Sequence, residues 1–378
     1  MQVAITGAGP AGSWTAIELA KRGHSVTLID GLAPWEKPCG GGVTTKALAR
    51  FGIFNSNLPR VDIEQVTVFF GDKEHVSLTP QTPLSVVSRQ ELGRYLLEQA
   101  TAAGVQLVKD RVTEIQQKGS RWILTGRHSE SEADFLVGAD GATSMVRRTL
   151  GVPLTSDELC VTMGYFIPGT FPAHMKIFFV PSLEGYIWSF PRPTHISYGL
   201  ITRSEPGWNM RAKALLSNFI EADLGNLVMD QAEFYSAPVP CLGPRSWKRN
   251  NISGDRWALI GDAAGPVDPI TGEGIYFAFR SAQILAETLE QPGGYSKAIS
   301  ADIGSELAMS SRMYRRFYRG RFLGGDFRKR TIQLARRSRT IRQILGNLIG
   351  GNQPYSALRK KLFFSISSVG WDLVSARK

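Results

Sequence analysis

Hydrophobic residues fall along this chain in patterns that predict different elements. Gln2 to Thr6 is a continuous apolar run, as expected of a strand covered on both faces, and Ser25 to Asp30 repeats it. Between them, Ala11 to Arg22 reads as a helix with Gly23 at its C′ position, so the three segments predict one parallel βαβ unit. Arg89 to Ala103, with Leu92, Leu96 and Leu97 at helical spacing, predicts a second helix. Two hairpins are predicted, 64–70 with 74–78 around Gly71-Asp72, and 111–117 with 121–125 around Lys118-Gly119-Ser120. Residues 160–238 hold four β-rich pieces, Val161 to Ile167, Lys176 to Val180, Tyr186 to Phe190 and Ile196 to Thr202, together with one helix, Met210 to Asp223. They predict a separate, mostly antiparallel sheet. Trp257 to Gly261 returns to a buried strand and Gly274 to Glu290 to a helix, so the first domain is assembled from discontinuous segments. From 301 onward the pattern is helical and basic, punctuated by Gly324-Gly325 and Gly350-Gly351.

Composition narrows the class. With 378 residues, 43% of them apolar and 10% aromatic, the chain is expected to be globular, with two joined domains. Cys39, Cys160 and Cys241 lie far apart and lack metal-ligand spacing, so no metal site or disulfide framework is expected, and a reducing cytoplasm is the expected setting. The first strand begins at Gln2, leaving no room for a signal peptide, and no apolar run reaches the roughly 18 residues that span a bilayer. Neither export nor a transmembrane anchor is expected. The net charge of +11 is unevenly placed, because residues 301–378 hold 17 Lys and Arg against 4 Asp and Glu, a net of +13. In that tail Ile341, Ile344, Leu345, Leu348 and Ile349, then Leu358, Leu362, Ile366 and Val369, recur at helical spacing among Arg337, Arg339, Arg342, Arg359, Lys360 and Lys361. A basic tail on an otherwise near-neutral chain points to an anionic membrane surface, on the inner membrane face, rather than to nucleic acid. The alternative is a helical lid packed on the core.

Gly7-Ala8-Gly9-Pro10-Ala11-Gly12 stands between the first strand and its helix. Glycines there let backbone approach a pyrophosphate and aim helix N–H groups at it, while an acidic residue ending the second strand suits a ribose hydroxyl. Gly7, Gly9, Ala11, Gly12 and Asp30 fit those roles. Asp30 opposes a 2′-phosphate, since two anions would meet, so FAD or NAD remain.

Two later motifs bear on that choice. Ala258-Leu-Ile-Gly-Asp262-Ala-Ala-Gly265, followed by Pro269-Ile-Thr-Gly272-Glu-Gly274-Ile275, resembles the second flavin motif of the flavoprotein hydroxylase superfamily. Leu136-Val-Gly-Ala-Asp140-Gly141 resembles that superfamily's Asp-Gly motif, and Arg89 to Leu96 its Arg-x-x-Leu-Asp-x-x-Leu helix, with Gly93 where Asp is usual. The resemblance implies FAD, with Asp262 on the ribityl chain, Gly272, Gly274 and Ile275 at the pyrimidine end of the ring, and Arg89 and Asp140 as further contacts. A helix N-terminus also suits negative charge on a reduced flavin.

Pro34-Trp-Glu-Lys-Pro-Cys39-Gly40-Gly41-Gly42 resembles the Pro-x4-Cys-Gly-Gly-Gly signature of the geranylgeranyl reductases. Tyr186-x-Trp188-x-Phe190-Pro191, seven residues before Gly199, resembles a second signature of that family, whose final Gly is Ile201 here. The likeness covers roughly residues 1–290 and implies an FAD-dependent reductase of isoprenoid double bonds, an enzyme of lipid metabolism. It implies a Rossmann-like FAD-binding domain (1–60, 85–155 and 250–300) and a hydroxylase-like substrate-binding β domain (61–84 and 156–249); it does not reach the basic C-terminal helical region (301–378), which is read from its own pattern. Cys39, Gly40 and Gly41 are then expected beside the flavin on a loop that triple Gly makes flexible, with Cys39 the candidate proton donor or substrate-positioning group. Tyr186, Trp188 and Phe190 share one face of a strand and are expected to line a tunnel for a prenyl-type substrate. The electron donor is expected to be NAD(P)H or a ferredoxin, an acidic partner suited to the basic tail. An FAD monooxygenase or halogenase acting on a hydrophobic small molecule is the alternative, because Gly185-Tyr-Ile-Trp-Ser-Phe-Pro191 also resembles the Trp-x-Trp-x-Ile-Pro element of flavin halogenases. His174 and His195 have no partner that the sequence identifies and receive no role.

Overall fold

The computed structural model describes residues 1–52, 56–71, 74–79, 82–181, 183–203 and 208–364. Strand Gln2–Thr6 is central in a six-stranded sheet ordered Ser253–Gly254, Trp257–Leu259, Phe135–Gly138, Gln2–Thr6, Ser25–Ile29, Gln106–Val108. All neighbours are parallel except the edge pair Ser253–Gly254 with Trp257–Leu259. Val3, Ala4, Ile5, Leu136 and Val137 are all buried, which is why these strands read as unbroken apolar runs. Helix Pro10–Ala20 packs against both Arg89–Ala102 and Ile275–Thr288. A meander of Val112–Lys118, Arg121–Gly126 and Glu130–Ala133 joins this unit.

The second large sheet has seven strands, ordered Glu233–Pro240, Leu159–Pro168, His195–Arg203, Gly185–Pro191, His174–Phe179, Gln65–Phe70, Glu74–Leu78. Its pairs are antiparallel apart from His174–Phe179 with Gln65–Phe70. Helix Trp208–Leu224 lies on it. Of the Gly71-Asp72 turn, Asp72 lies outside the described residues. Periodicity missed a small sheet in which Leu84–Val87 pairs with both Gly42–Val43 and Arg60–Ile63. It straddles the segment limits expected at residues 60 and 85. The architecture is therefore mixed α/β plus antiparallel β, with C-terminal helices.

Helix Ser305–Arg319 is followed by a two-stranded turn through Leu323 and Gly324, then by helices Phe327–Arg337, Arg339–Ile349 and Tyr355–Phe364. Gly324 and Gly351 mark two of the breaks, with φ of 74° and 73°. Ile332 and Ala335 are buried against the seven-stranded sheet, and Ile341, Leu345 and Ile349 pack on the same cluster. The apolar face of Arg339–Ile349 is thus turned inward, while Arg337, Arg339 and Arg342 stay exposed. Ile366 and Val369 lie outside the described residues, as does the side chain of Leu362. Among the described residues no helix is long and apolar enough to cross a membrane.

Candidate cofactor and substrate site

Gly7 has φ of 94°, and a methyl there would stand 2.5 Å from the Ala139 carbonyl oxygen; one on Gly12 would strike the Gly7 carbonyl. Gly9 differs, because its φ of −69° suits any residue and nothing lies within 4 Å of where its Cβ would be. Gly7 and Gly12 serve the fold, and Gly9 leaves a cradle. Helix Pro10–Ala20 has no side-chain cap, so its first N–H groups face that space unsatisfied, as an anion site requires.

Asp30 Oδ2 accepts the Ala8 N–H at 2.8 Å, and Oδ1 accepts those of Leu32 and Ala33 at 2.8 and 2.9 Å. The carboxylate braces the glycine turn and keeps acceptor capacity for a hydroxyl. Asp140 accepts the Ser144 hydroxyl at 2.5 Å and the Met145 N–H at 2.6 Å, capping helix Met145–Leu150; its burial raises its pKa. Ala139 and Gly141 line the cavity on either side of it. Arg147, 4% exposed, donates to Ala263 O at 3.0 Å and Asn250 Oδ1 at 2.7 Å, tying that helix to the Asp262 turn.

Asp262 accepts Lys37 Nζ at 2.7 Å. Burial pushes its carboxyl upward, but Lys37 and then Arg89 hold it below the usual carboxylate range. Arg89 is 8% exposed, lines the cavity, and its Nε has no hydrogen-bond partner. A buried cationic donor without a partner, beside an uncapped helix and an open glycine cradle, fits a large anionic cofactor. Gly93, where the superfamily pattern has Asp, faces Pro34, whose Cβ would be 3.3 Å from an added methyl.

Cys39 sits where this half of the cavity meets the β-sheet. Its carbonyl accepts Arg192 Nη2 at 2.5 Å and Ser197 Oγ at 2.9 Å, and its Sγ accepts the Gly41 N–H at 3.2 Å. Arg192, with a fully buried side chain, also pairs with Glu36. Glu36 accepts the Arg89 N–H at 2.8 Å and the Ser88 hydroxyl at 2.5 Å, so one network anchors both this loop and helix Arg89–Ala102. Ser197 continues it to Tyr235 Oη at 2.9 Å and Trp188 Nε1 at 3.2 Å. The expectation of a flexible loop is corrected. A methyl on Gly40 would lie 2.6 Å from Phe190 Cδ2, and one on Gly41, whose φ is 79°, would strike Val87 O. These glycines permit close packing rather than motion.

Tyr186, Trp188 and Phe190 do share a face, with successive ring centroids 6.0 and 6.2 Å apart. Tyr186 Oη donates to Thr271 O at 2.5 Å. Gly199 is needed because a methyl there would enter the Trp188 indole and lie 2.6 Å from Tyr235 Oη, whereas Ile201 pairs with Tyr186 and lines the cavity. One cavity of about 1580 Å³ runs from Gly9 and Arg89 past Cys39 and these rings to Met309, Met313 and Leu348 in the C-terminal helices.

Lys37, Glu36, Arg192 and Glu273 were not singled out by sequence reasoning. Lys37 and Glu36 lie inside the Pro34–Gly42 signature, Arg192 follows Pro191, and Glu273 separates Gly272 from Gly274, so adjacency to a motif was the available signal. The two histidines do find partners: Thr67 Oγ1 lies 2.8 Å from His174 Nε2, and Arg192 Nη1 3.2 Å from His195 Nε2, where burial and then Arg192 lower the His195 pKa to about 4.

The cradle and the two sheets define an FAD-binding flavoprotein with an attached seven-stranded, mostly antiparallel sheet. Residues 1–292 match the family described as FAD binding domain, and the chain belongs to that family. It is 27% identical to the chloroplastic geranylgeranyl diphosphate reductase of Oryza sativa subsp. japonica, over 83% of this chain and 72% of that protein. Its fold resembles a geranylgeranyl bacteriochlorophyll reductase-like protein from Thermoplasma acidophilum (TM-score 0.76, 20% identity, 99% and 98% of the two chains). It also resembles the flavin-dependent brominase Bmp2 (TM-score 0.71, 19% identity, 93% and 94%), so fold alone does not select the reaction.

Proposed function

We propose that this chain is an FAD-dependent reductase of carbon–carbon double bonds in isoprenoid, geranylgeranyl-type chains. The observation that carries this reading is the continuity of the cavity. At about 1580 Å³ it exceeds the roughly 300–1,000 Å³ of an ordinary ligand pocket, leaving room for a long apolar chain beside a dinucleotide. Gly9, the first amides of helix Pro10–Ala20, Arg89 and Asp262 would hold the FAD. Reduced FAD, when bound, supplies hydride from N5. An unactivated alkene offers nothing polar to grip, so the protein's share is orientation, exclusion of water and a proton. Tyr186, Trp188 and Phe190 orient the chain, and Cys39, between Lys37 and the Phe190 face, bounds the reacting carbons. NAD(P)H or a ferredoxin is the proposed reductant of the flavin.

The test is anaerobic. Flavin reduced in the FAD-loaded protein is expected to reoxidise on adding geranylgeranyl diphosphate, with loss of a double bond in the product. Reoxidation only by oxygen, with a hydroxylated or halogenated product, would overturn the reading in favour of a monooxygenase or halogenase.

A further inference from the structure

We propose that Glu273 is the acid that protonates the alkene carbon opposite the one receiving hydride; this rests on the reductase reading above. Glu273 lines the cavity between the two parts that must meet at the reacting bond. On one side, a methyl on Gly272 would lie 3.1 Å from Tyr186 Oη, at the head of the aromatic face. On the other, one on Gly274 would lie 3.6 Å from Asp262 Oδ1, in the flavin motif. Cys39 lines the same cavity.

The neighbouring oxygen acids are committed elsewhere. Tyr186 donates its proton to Thr271 O, and Tyr355 donates to Asp268 Oδ2 at 2.8 Å. Asp268 also accepts the Ile270 N–H at 2.8 Å and the Ser310 hydroxyl at 2.6 Å, so its oxygens are taken up within the turn and by the C-terminal helices. Cys39 Sγ accepts the Gly41 N–H, which leaves its own S–H as the competing acid that Cys39→Ser removes. Glu273 Oε1 accepts the Tyr276 N–H at 2.8 Å. The groups facing this carboxyl are Asp268 across the turn, the Thr44 hydroxyl, the Ile275 and Tyr276 amides, and Tyr186; Lys46 Nζ lies over the Tyr276 ring at 4.1 Å. Burial, with Asp268 adding to it, raises the Glu273 pKa to about 7 against the pull of the amides and Thr44, which keeps a neutral acid populated at physiological pH.

The step balances. With reduced flavin bound, hydride and its two electrons would pass to one alkene carbon and the Glu273 carboxyl proton to the other. The products are the saturated C–C bond, oxidised flavin and a Glu273 carboxylate that takes its next proton from water.

The experiment compares FAD-loaded wild type, Glu273→Gln, Thr44→Val and Cys39→Ser, each reduced anaerobically with dithionite and mixed with geranylgeranyl diphosphate. Glu273→Gln is expected to bind and reduce FAD normally but to reoxidise at least ~100-fold more slowly, the scale of a lost general acid. The wild-type rate is expected to fall as pH rises through about 7, where Glu273 loses its proton. Thr44→Val removes a hydrogen bond that favours the carboxylate, so its midpoint is expected to move to higher pH with FAD content unchanged. Cys39→Ser is expected to keep the wild-type pH profile. Reoxidation of Glu273→Gln within about threefold of wild type, against the usual loss for a removed acid, overturns the assignment. If Glu273→Gln does not hold FAD, an unmoved midpoint in Thr44→Val overturns it instead. Wild-type flavin that the prenyl diphosphate cannot reoxidise overturns the reductase reading itself, and the assignment with it.

Discussion

Arg192 offers the sharpest test of what holds the Cys39 loop. Its side chain is fully buried, pairs with Glu36 and bonds the Cys39 carbonyl. Arg192→Met removes the cation at similar volume. Breaking a buried pair from one side costs about 3–5 kcal/mol, because the remaining charge stays buried. Glu36 keeps the Ser88 hydroxyl and the Arg89 N–H, which argues for the lower end, about 3 kcal/mol. Unfolding entropy of roughly 2.1 cal/mol/K per residue, over 378 residues, is about 0.8 kcal/mol/K, so Tm is expected to drop by about 4 °C. The sign with pH follows from Glu36. Burial works against its ionised form, but Arg192, Ser88 and the two amides together hold its pKa below the usual glutamate value. Its stabilising contribution is therefore present above the unfolded pKa of about 4.3 and is lost as pH falls through the folded one. The gap between wild type and Arg192→Met should be widest at pH 7 and close in acid, and adding Glu36→Gln should recover part of it at neutral pH. Thermal unfolding followed by circular dichroism across that range decides the matter. A drop below about 1 °C, or a gap that does not narrow in acid, would refute the reasoning.

Two further outcomes follow from the geometry. Gly9→Val puts a side chain at the cradle position where an added Cβ has no protein atom within 4 Å, so the stability loss is expected to stay near the roughly 1 kcal/mol of a weakened N-cap, while bound flavin, read by its absorbance, falls sharply; a variant that retains flavin would remove Gly9 from the cofactor site. If the exposed arginines of the C-terminal helices meet an anionic membrane, Arg337→Glu with Arg339→Glu should weaken sedimentation with phosphatidylserine vesicles by more than ~10-fold, at about 1 kcal/mol per basic group lost. Equal sedimentation would remove the membrane surface.

The C-terminal segment marks where local reading stops. Spacing gave Ile341, Ile344, Leu345, Leu348 and Ile349 a common helical face, but a helical face faces membrane or core equally well until its neighbours are known. The structure sets it on the cluster of Val66, Val68 and Met175, residues far upstream in sequence. The triple glycine was likewise legible as a motif but not in its purpose. Flexibility and close approach look alike in sequence, and only the Phe190 ring and the Arg192 side chain, more than 140 residues away, show that it is close approach.

By itself the sequence determined the βαβ unit, the glycine turn, both hairpins and four strands of the seven-stranded sheet. These depend on periodicity, turn chemistry and backbone freedom within a few residues of one another. Tertiary structure decided what Glu36, Lys37, Arg192 and Glu273 do. Each side chain takes its role from a partner or a wall supplied by a distant segment, as Asp262 does for Lys37 across 225 positions. A charge acquires its partner and its protonation state only when folding removes water from around both.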